Sequence, residues 1–507
     1  MSVRSLALLL ALLGAVALAA APGADASARM RIGISDDGIL LFDQERAPAI
    51  VAQWKAAGIE TVRIQVRWVG VAPAPDSPVA PPFFDAANPD DPSYDWPYLD
   101  RAIDLVAANG LRPILAVTGS GPLWASRVPD RGSPRIDPDP VKFGQFATAV
   151  ARRYGRVADR YIIWNEPNGP LWLQPQQECV AGHRRCSPVA PHLYRGLVRA
   201  AYPAIHAADP GAQVLAGGLA PRGRTPTRRN NPLRPLAFLR AFGCVDERYR
   251  PVRTGRCRGF RPARMDGFAY HPHPVLSSPS TPAPRSDDAT IADLRKLETS
   301  LDAVQRAHGF TTPSGGHVSL DLTEFGYQTS PPDLLDGVTP ARQSRWLQQS
   351  AYLAWKDPRV RTLVQYEWRD EGVRNLGPGR AAYSGWQSGL LYADGRPKSA
   401  LGGFLRPFYA DVLSRAPLVR FWGQVRPGAA HDVVLQRRSP SGVFVTVQRL
   451  RTDGRGTFVK TLQLPSAGAY RFRTVDAAGA GGGPLPPTFI SDVLDVTPGP
   501  RADTTRP

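Results

Sequence analysis

The 507-residue chain predicts an α/β fold: a closed (β/α)8 TIM barrel followed by a small C-terminal antiparallel β-sandwich. Three observations predict it. Short apolar runs alternate with stretches of helical period eight times before residue 414, which is the pattern of repeated strand–helix units. No glycine-rich phosphate loop follows the first run, which argues against a doubly wound open sheet. From about residue 415 the texture changes to short alternating runs separated by turn clusters such as Thr452-Asp453-Gly454-Arg455-Gly456.

The chain opens with Met1-Ser2-Val3-Arg4, an apolar run over 6–21, and Ala24-Asp25-Ala26. One basic residue, a short apolar core and a small-x-small site are the parts of a secretory signal peptide, assigned to 1–26. The barrel is assigned to 27–414. Its strands are expected at 31–35, 61–66, 112–117, 161–164, 213–217, 267–270, 318–322 and 362–366. Its helices are expected at 47–57, 98–109, 141–154, 193–208, 236–242, 291–308, 341–356 and 399–413. The sandwich is assigned to 415–497, with runs at 433–435, 443–448, 458–462 and 470–473, and a structural role is preferred for it because its one tryptophan, Trp422, lies near its start. A glycine run at 479–483 and a tail at 498–507 read as flexible.

Four cysteines fall into two local couples, Cys179 with Cys186 and Cys244 with Cys257, in stretches rich in Arg, Pro and Gly. Two loop disulfides suit an exported chain. A zinc site is the weaker alternative, since neither couple has CxxC spacing and His183 alone stands near. The net charge of +18 is carried almost wholly by Arg scattered along the chain. No aromatic-interleaved basic block is present, so a nucleic-acid partner is not expected, and past the leader no segment is long enough to span a bilayer. Loose association with acidic wall polymers stays open as a secondary property.

In a closed barrel, functional groups project from the C-terminal ends of the strands. Glu166 in Trp164-Asn165-Glu166-Pro167-Asn168 ends the fourth run, and Glu324 in Thr323-Glu324-Phe325-Gly326-Tyr327 ends the seventh. Paired carboxylates serve glycosidic cleavage, one protonating the leaving oxygen and the other attacking the anomeric carbon. Arg63 is expected to hold the attacking carboxylate ionised, and Asn165 to hydrogen-bond a sugar hydroxyl. Trp68, Trp124 and Trp368 offer flat faces for pyranose rings, and His271 and His273 end the sixth run. Asp36 and Asp37 could line the mouth of the site, with a solvated loop preferred, and His183 and Asp370 could touch substrate, with structural roles preferred. The loops 221–235 and 243–264 are Arg-rich, which would suit an anionic glycan if they wall the cleft.

These residues in order resemble a clan A retaining glycoside hydrolase, in particular families 5 and 39, of the cellulase and β-xylosidase type. The resemblance covers about residues 30–408 and rests on Thr61-Val62-Arg63 with Trp68, Tyr94-Asp95-Trp96 with Leu99-Asp100, Trp164-Asn165-Glu166-Pro167, Thr323-Glu324-Phe325-Gly326 and Trp368. It implies Glu166 as acid/base, Glu324 as nucleophile, Asn165 on the 2-hydroxyl and Arg63 behind the nucleophile. The segment His271-Pro272-His273 departs from the family's His-x-Tyr, so an imidazole stands where a phenol is expected. The resulting expectation is an exported retaining β-glycosidase with a carbohydrate substrate and no cofactor or metal. The alternative is a catalytically silent carbohydrate-binding or wall-associated protein on the same barrel.

Overall fold

The computed structural model describes residues 27, 29–180, 186–413, 417–475 and 490–498. The expected leader, His183, the glycine run 479–483 and the tail from 499 lie outside the described residues. Eight parallel strands close a barrel: β1 (Arg31–Ser35), β2 (Thr61–Arg67), β3 (Arg112–Thr118), β4 (Arg160–Ile163), β5 (Val214–Leu219), β6 (Gly267–Tyr270), β7 (Ser319–Phe325) and β8 (Val360–Tyr366). Each strand pairs with its sequence neighbours, and β8 closes the ring on β1 with Ser35 beside Tyr366. All eight expected strands are present, each within a few residues of its expected bounds.

Apolar side chains fill the inner layer, where Ile114, Ala116, Ile162, Leu215 and Ala269 form a cluster of their own. On β7 a carboxylate sits inside the ring: Asp321 accepts from Arg160 at 3.2 Å and from Thr362 at 2.7 Å. Such partners offset part of the cost of burying the carboxylate.

The helices α1 (Ala47–Ala56), α2 (Pro97–Ala108), α3 (Pro140–Tyr154), α4 (Ala190–Ala208), α5 (Pro235–Phe242), α6 (Leu294–Arg306), α7 (Pro340–Lys356) and α8 (Ser399–Leu405) follow the strands. Their starts are written in the sequence. Asp139 caps α3 by accepting from the amides of Val141 and Lys142, and Thr339 caps α7, each just before a proline at the first helical position. The expected helix 399–413 stops at Leu405, because Pro407 supplies no amide and pushes Arg406 out of the helical region.

Residues Phe408–Val412 are instead a strand, β9, paired antiparallel with β10 (Leu418–Gln424). The sheet region therefore begins ahead of residue 415. The remaining strands are β11 (Asp432–Arg438), β12 (Phe444–Arg451), β13 (Thr457–Gln463), β14 (Gly468–Thr474) and β15 (Leu494–Val496). They complete two antiparallel sheets, ordered β9-β10-β13 and β12-β11-β14-β15. Phe408, Phe421, Leu435, Phe458 and Phe472 from both sheets share one apolar cluster.

Candidate active site

The strand-end chemistry starts at the turn after β4. Trp164 and Glu166 both take left-handed backbone, with φ of 68° and 36°, which is unusual for side chains of this size. The turn is held from several sides. The Trp164 amide donates to Val117 O at 2.8 Å, and the Glu166 amide donates to Gly218 O at 2.9 Å. Asn168 accepts from the Ala220 amide and donates to the carbonyls of Ala220 and Leu233, tying the segment to the chain after β5. The Trp164 ring lies against Gly119, where a Cβ would come within 2.1 Å of it, so glycine is required at the end of β3.

Glu324 arrives from β7, and Arg63 from β2 reaches it across the barrel mouth. The guanidinium is fully buried, sits 2.9 Å from Glu324 Oε1 and donates to Asn165 Oδ1 at 2.6 Å. One planar fork thus orients both a carboxylate and the amide next to Glu166. Burial raises the Glu324 pKa, but His271, Arg63 and His273 beside it outweigh that effect and hold the carboxyl well below the usual range. Glu166 is the more open partner, with its side chain 26% exposed against 10% for Glu324.

His271 lies between the two acids. Its Nδ1 is 3.2 Å from Glu166 Oε1 and 3.5 Å from Glu324 Oε2, while its buried Nε2 meets no partner. These surroundings assign the proton to Nδ1, which then donates toward the carboxylates. His273 stands farther off, with Nε2 3.7 Å from Glu324 Oε2 and Nδ1 3.4 Å from Gly326 O. At 3.7 Å it faces the acid without a full hydrogen bond.

A carboxylate oxygen of Glu166, one of Glu324 and a ring nitrogen of His271 lie within 4.8 Å of one another, a set that could ligate a cation. Arg63 beside the same Glu324 works against a divalent ion there. The other donor cluster, His192 with Cys244 and Cys257, has no thiolate to offer because those cysteines are joined. Both expected disulfides are formed, Cys179–Cys186 and Cys244–Cys257.

The three tryptophans expected as sugar platforms are placed differently. Trp68 is fully buried, stacked on Phe146 at 5.3 Å with its edge toward Trp124. Trp124 is 3% exposed and donates from its indole to Pro73 O. Trp368 is fully buried and donates to Gln53. None presents an open face, because strand-end aromatics here are consumed by packing beneath the loops. The exposed indole at the site is Trp386, in the long segment after β8, 6.1 Å from His273 and edge-on to Tyr366 at 5.6 Å. Sequence reading passed it over, since a tryptophan twenty residues past a strand carries no period or motif.

Asp36 also departs from expectation. It is buried, caps the short helix Asp37–Phe42, and accepts from the amides of Trp368 and Arg369. Asp370 takes the structural role preferred for it, buried against Lys398 at 2.7 Å. In the Arg-rich loops three arginines are ion-paired: Arg234 with Asp288, Arg250 with Asp246 and Arg256 with Glu178.

No family model and no curated protein matches the chain. Among solved structures, a glucosidase from Croceicoccus marinus is 14% identical, with 82% of this chain and 89% of that one covered at a TM-score of 0.44. A β-glucuronidase from Bacteroides uniformis is 11% identical, with 92% of this chain and 46% of that one covered at 0.42. A family 10 endoxylanase from a sugarcane soil metagenome is 13% identical, with 75% and 96% covered at 0.42. At such scores these likenesses add nothing to the chemistry argued from the residues.

Proposed function

We propose that this chain is an exported retaining β-glycoside hydrolase acting by double displacement. The observation that carries the reading is the glutamate pair at the ends of β4 and β7, with oxygens within 4.8 Å, one acid clamped by Arg63 and the other more open. Retention needs carboxyl groups about 5–5.5 Å apart, whereas inversion needs room for a water and about 6.5–9.5 Å. Oxygens that approach within 4.8 Å support the shorter, retaining separation.

Glu324, kept ionised, attacks the anomeric carbon and forms a glycosyl ester. Glu166 gives its proton to the departing glycosidic oxygen, so the bond breaks without an alkoxide. Water then enters beside Glu166, which takes back a proton as the hydroxyl attacks the same carbon, and the ester breaks to restore Glu324. Arg63 keeps its charge against Glu324 at each step, and Asn165, with its oxygen on Arg63, keeps its NH2 free for a sugar hydroxyl. The leader-like segment and two disulfides support export. The two C-terminal sheets, which share one core, support the reading of a small structural sandwich.

Hydrolysis of a panel of nitrophenyl β-glycosides and soluble polysaccharides tests this. The wild type should cleave at least one member, and Glu324→Gln should lose on the order of 10³-fold or more in kcat. Near-normal turnover by Glu324→Gln would sink the mechanism. Sugar binding by the wild type with no turnover would favour the silent carbohydrate-binding protein instead.

A further inference from the structure

At the ends of β1, β2 and β8 lies a cavity of about 740 Å³, walled by the chain after β1, by Gln65 and Arg67 of β2, and by the chain after β8 from Tyr366 onward. That volume is in the range of small-molecule sites. Backbone register links its wall to the site: Ser35 pairs with both Arg63, which grips Glu324, and Tyr366, which lines the cavity.

The charge here runs against the rest of the molecule. On a chain of net charge +18, the wall carries five acids against four arginines, and Asp36, Asp37 and Glu367 among those acids have no ion-pair partner among the described residues. The nearby cations are mostly spoken for. Arg369 and Arg46 lie on Asp43 at 2.6 and 3.6 Å, Arg374 on Glu371 at 3.4 Å, and Lys398 on Asp370 at 2.7 Å. Arg63, already held by Glu324, and Arg67 lie near Asp37 without forming an ion pair with it.

Glu367 supplies a second, independent observation. It lines the cavity, is only 2% exposed, and its Oε2 meets no donor. A buried carboxyl with an unmet oxygen is costly, and an arriving cationic donor would relieve it. The same want of a cation is visible in titration: burial pushes Asp36 up to about 7, Asp37 up to about 6, and Glu367 well above the carboxylate range. Asp36 already spends its oxygens on three backbone amides, which leaves Asp37 and Glu367 to meet a ligand.

We infer that this cavity is a glycan subsite for a sugar bearing a free, protonated amine, with the ammonium received by Asp37 and Glu367. The inference rests on the glycosidase reading for its substrate class. An N-acetyl group would remove the charge, and a hydroxyl would bring a donor without it, so the site discriminates among otherwise similar rings.

The test uses full-length Glu324→Gln protein, titrated calorimetrically at physiological salt with the fully deacetylated glucosamine trimer, its N-acetylated counterpart and cellotriose. The deacetylated trimer should bind at least ~10-fold tighter than either neutral trimer, since one well-placed charged contact is worth about 1.5–3 kcal/mol. Adding Asp37→Asn or Glu367→Gln should abolish that preference, and the thermal midpoint of each variant identifies those that remain folded. Equal or weaker binding of the amine trimer, a preference that survives in a folded variant, or no binding of any trimer overturns the subsite. Turnover of neutral aryl glycosides by the wild type is scored separately. Turnover without amine preference removes the subsite alone, and amine preference without turnover removes the glycosidase reading alone.

Discussion

Arg63 is the residue on which most of the site's electrostatics converge. It is buried without exposure, and it holds Glu324 at 2.9 Å and Asn165 at 2.6 Å. Arg63→Met would strand Glu324 in a dry site, and its carboxyl would titrate upward. Activity that depends on an ionised Glu324 should then move its acid limb to higher pH in a kcat/KM profile, besides falling overall. An unmoved limb would show that Arg63 acts only on shape. Gly119→Ala tests the turn instead, since its methyl would meet the Trp164 ring at 2.1 Å. A loss of about 1–3 kcal/mol in denaturant unfolding is expected, together with reduced turnover from the displaced Glu166. Asp37 gives a signed dependence of stability on pH. Its folded pKa is raised by burial to about 6, above its unfolded value near 3.8, so the folded state binds the extra proton between these limits. Its stabilising contribution is full below about pH 4 and is lost as pH rises through about 6. Asp37→Asn should therefore flatten the fall of the thermal midpoint across that window.

Among the elements, the strands were legible because each is a short apolar run, and β1 to β8 needed nothing from afar to be recognised. Glu166 and Glu324 were legible for a related reason: a carboxylate at the end of a buried strand is anomalous where it stands. The tryptophans were not, because whether Trp68 or Trp368 faces solvent depends on Phe146 and Gln53, which the chain brings up from elsewhere. Asp36 and Glu367 escaped for the same reason, their burial arising only where β8 closes on β1. The end of α8 was written in Pro407 and overlooked in favour of helical period. The loop 244–257 is a separate test at this scale, since Cys244–Cys257 closes a separation of 13 residues. Cys244→Ser with Cys257→Ser should lower unfolding free energy by roughly 2–3 kcal/mol, read by denaturant titration, if the loop is ordered mainly by its crosslink.

At the scale of the molecule, the C-terminal sheets are bound to the barrel rather than tethered beside it. Trp422 of β10 packs on Tyr352 and Trp355 of α7, each at 5.8 Å, and belongs to the barrel's apolar core. Asp492 accepts from Ser344 and Gln348 of α7, and Arg455 pairs with Glu60 just before β2. A chain ending before Phe408 would bare this apolar face, and it should aggregate or melt well below the full-length protein in a thermal scan. With two acids on the rim of the ring and their oxygens within 4.8 Å, the proposed reaction proceeds with retention of configuration. The stereochemistry of hydrolysis tests it most directly. Proton NMR in the first minutes of cleavage of a β-glycoside, before the released sugar mutarotates, should show the β-anomer accumulating first. First appearance of the α-anomer would contradict the double displacement and the assignment of Glu324 as its nucleophile.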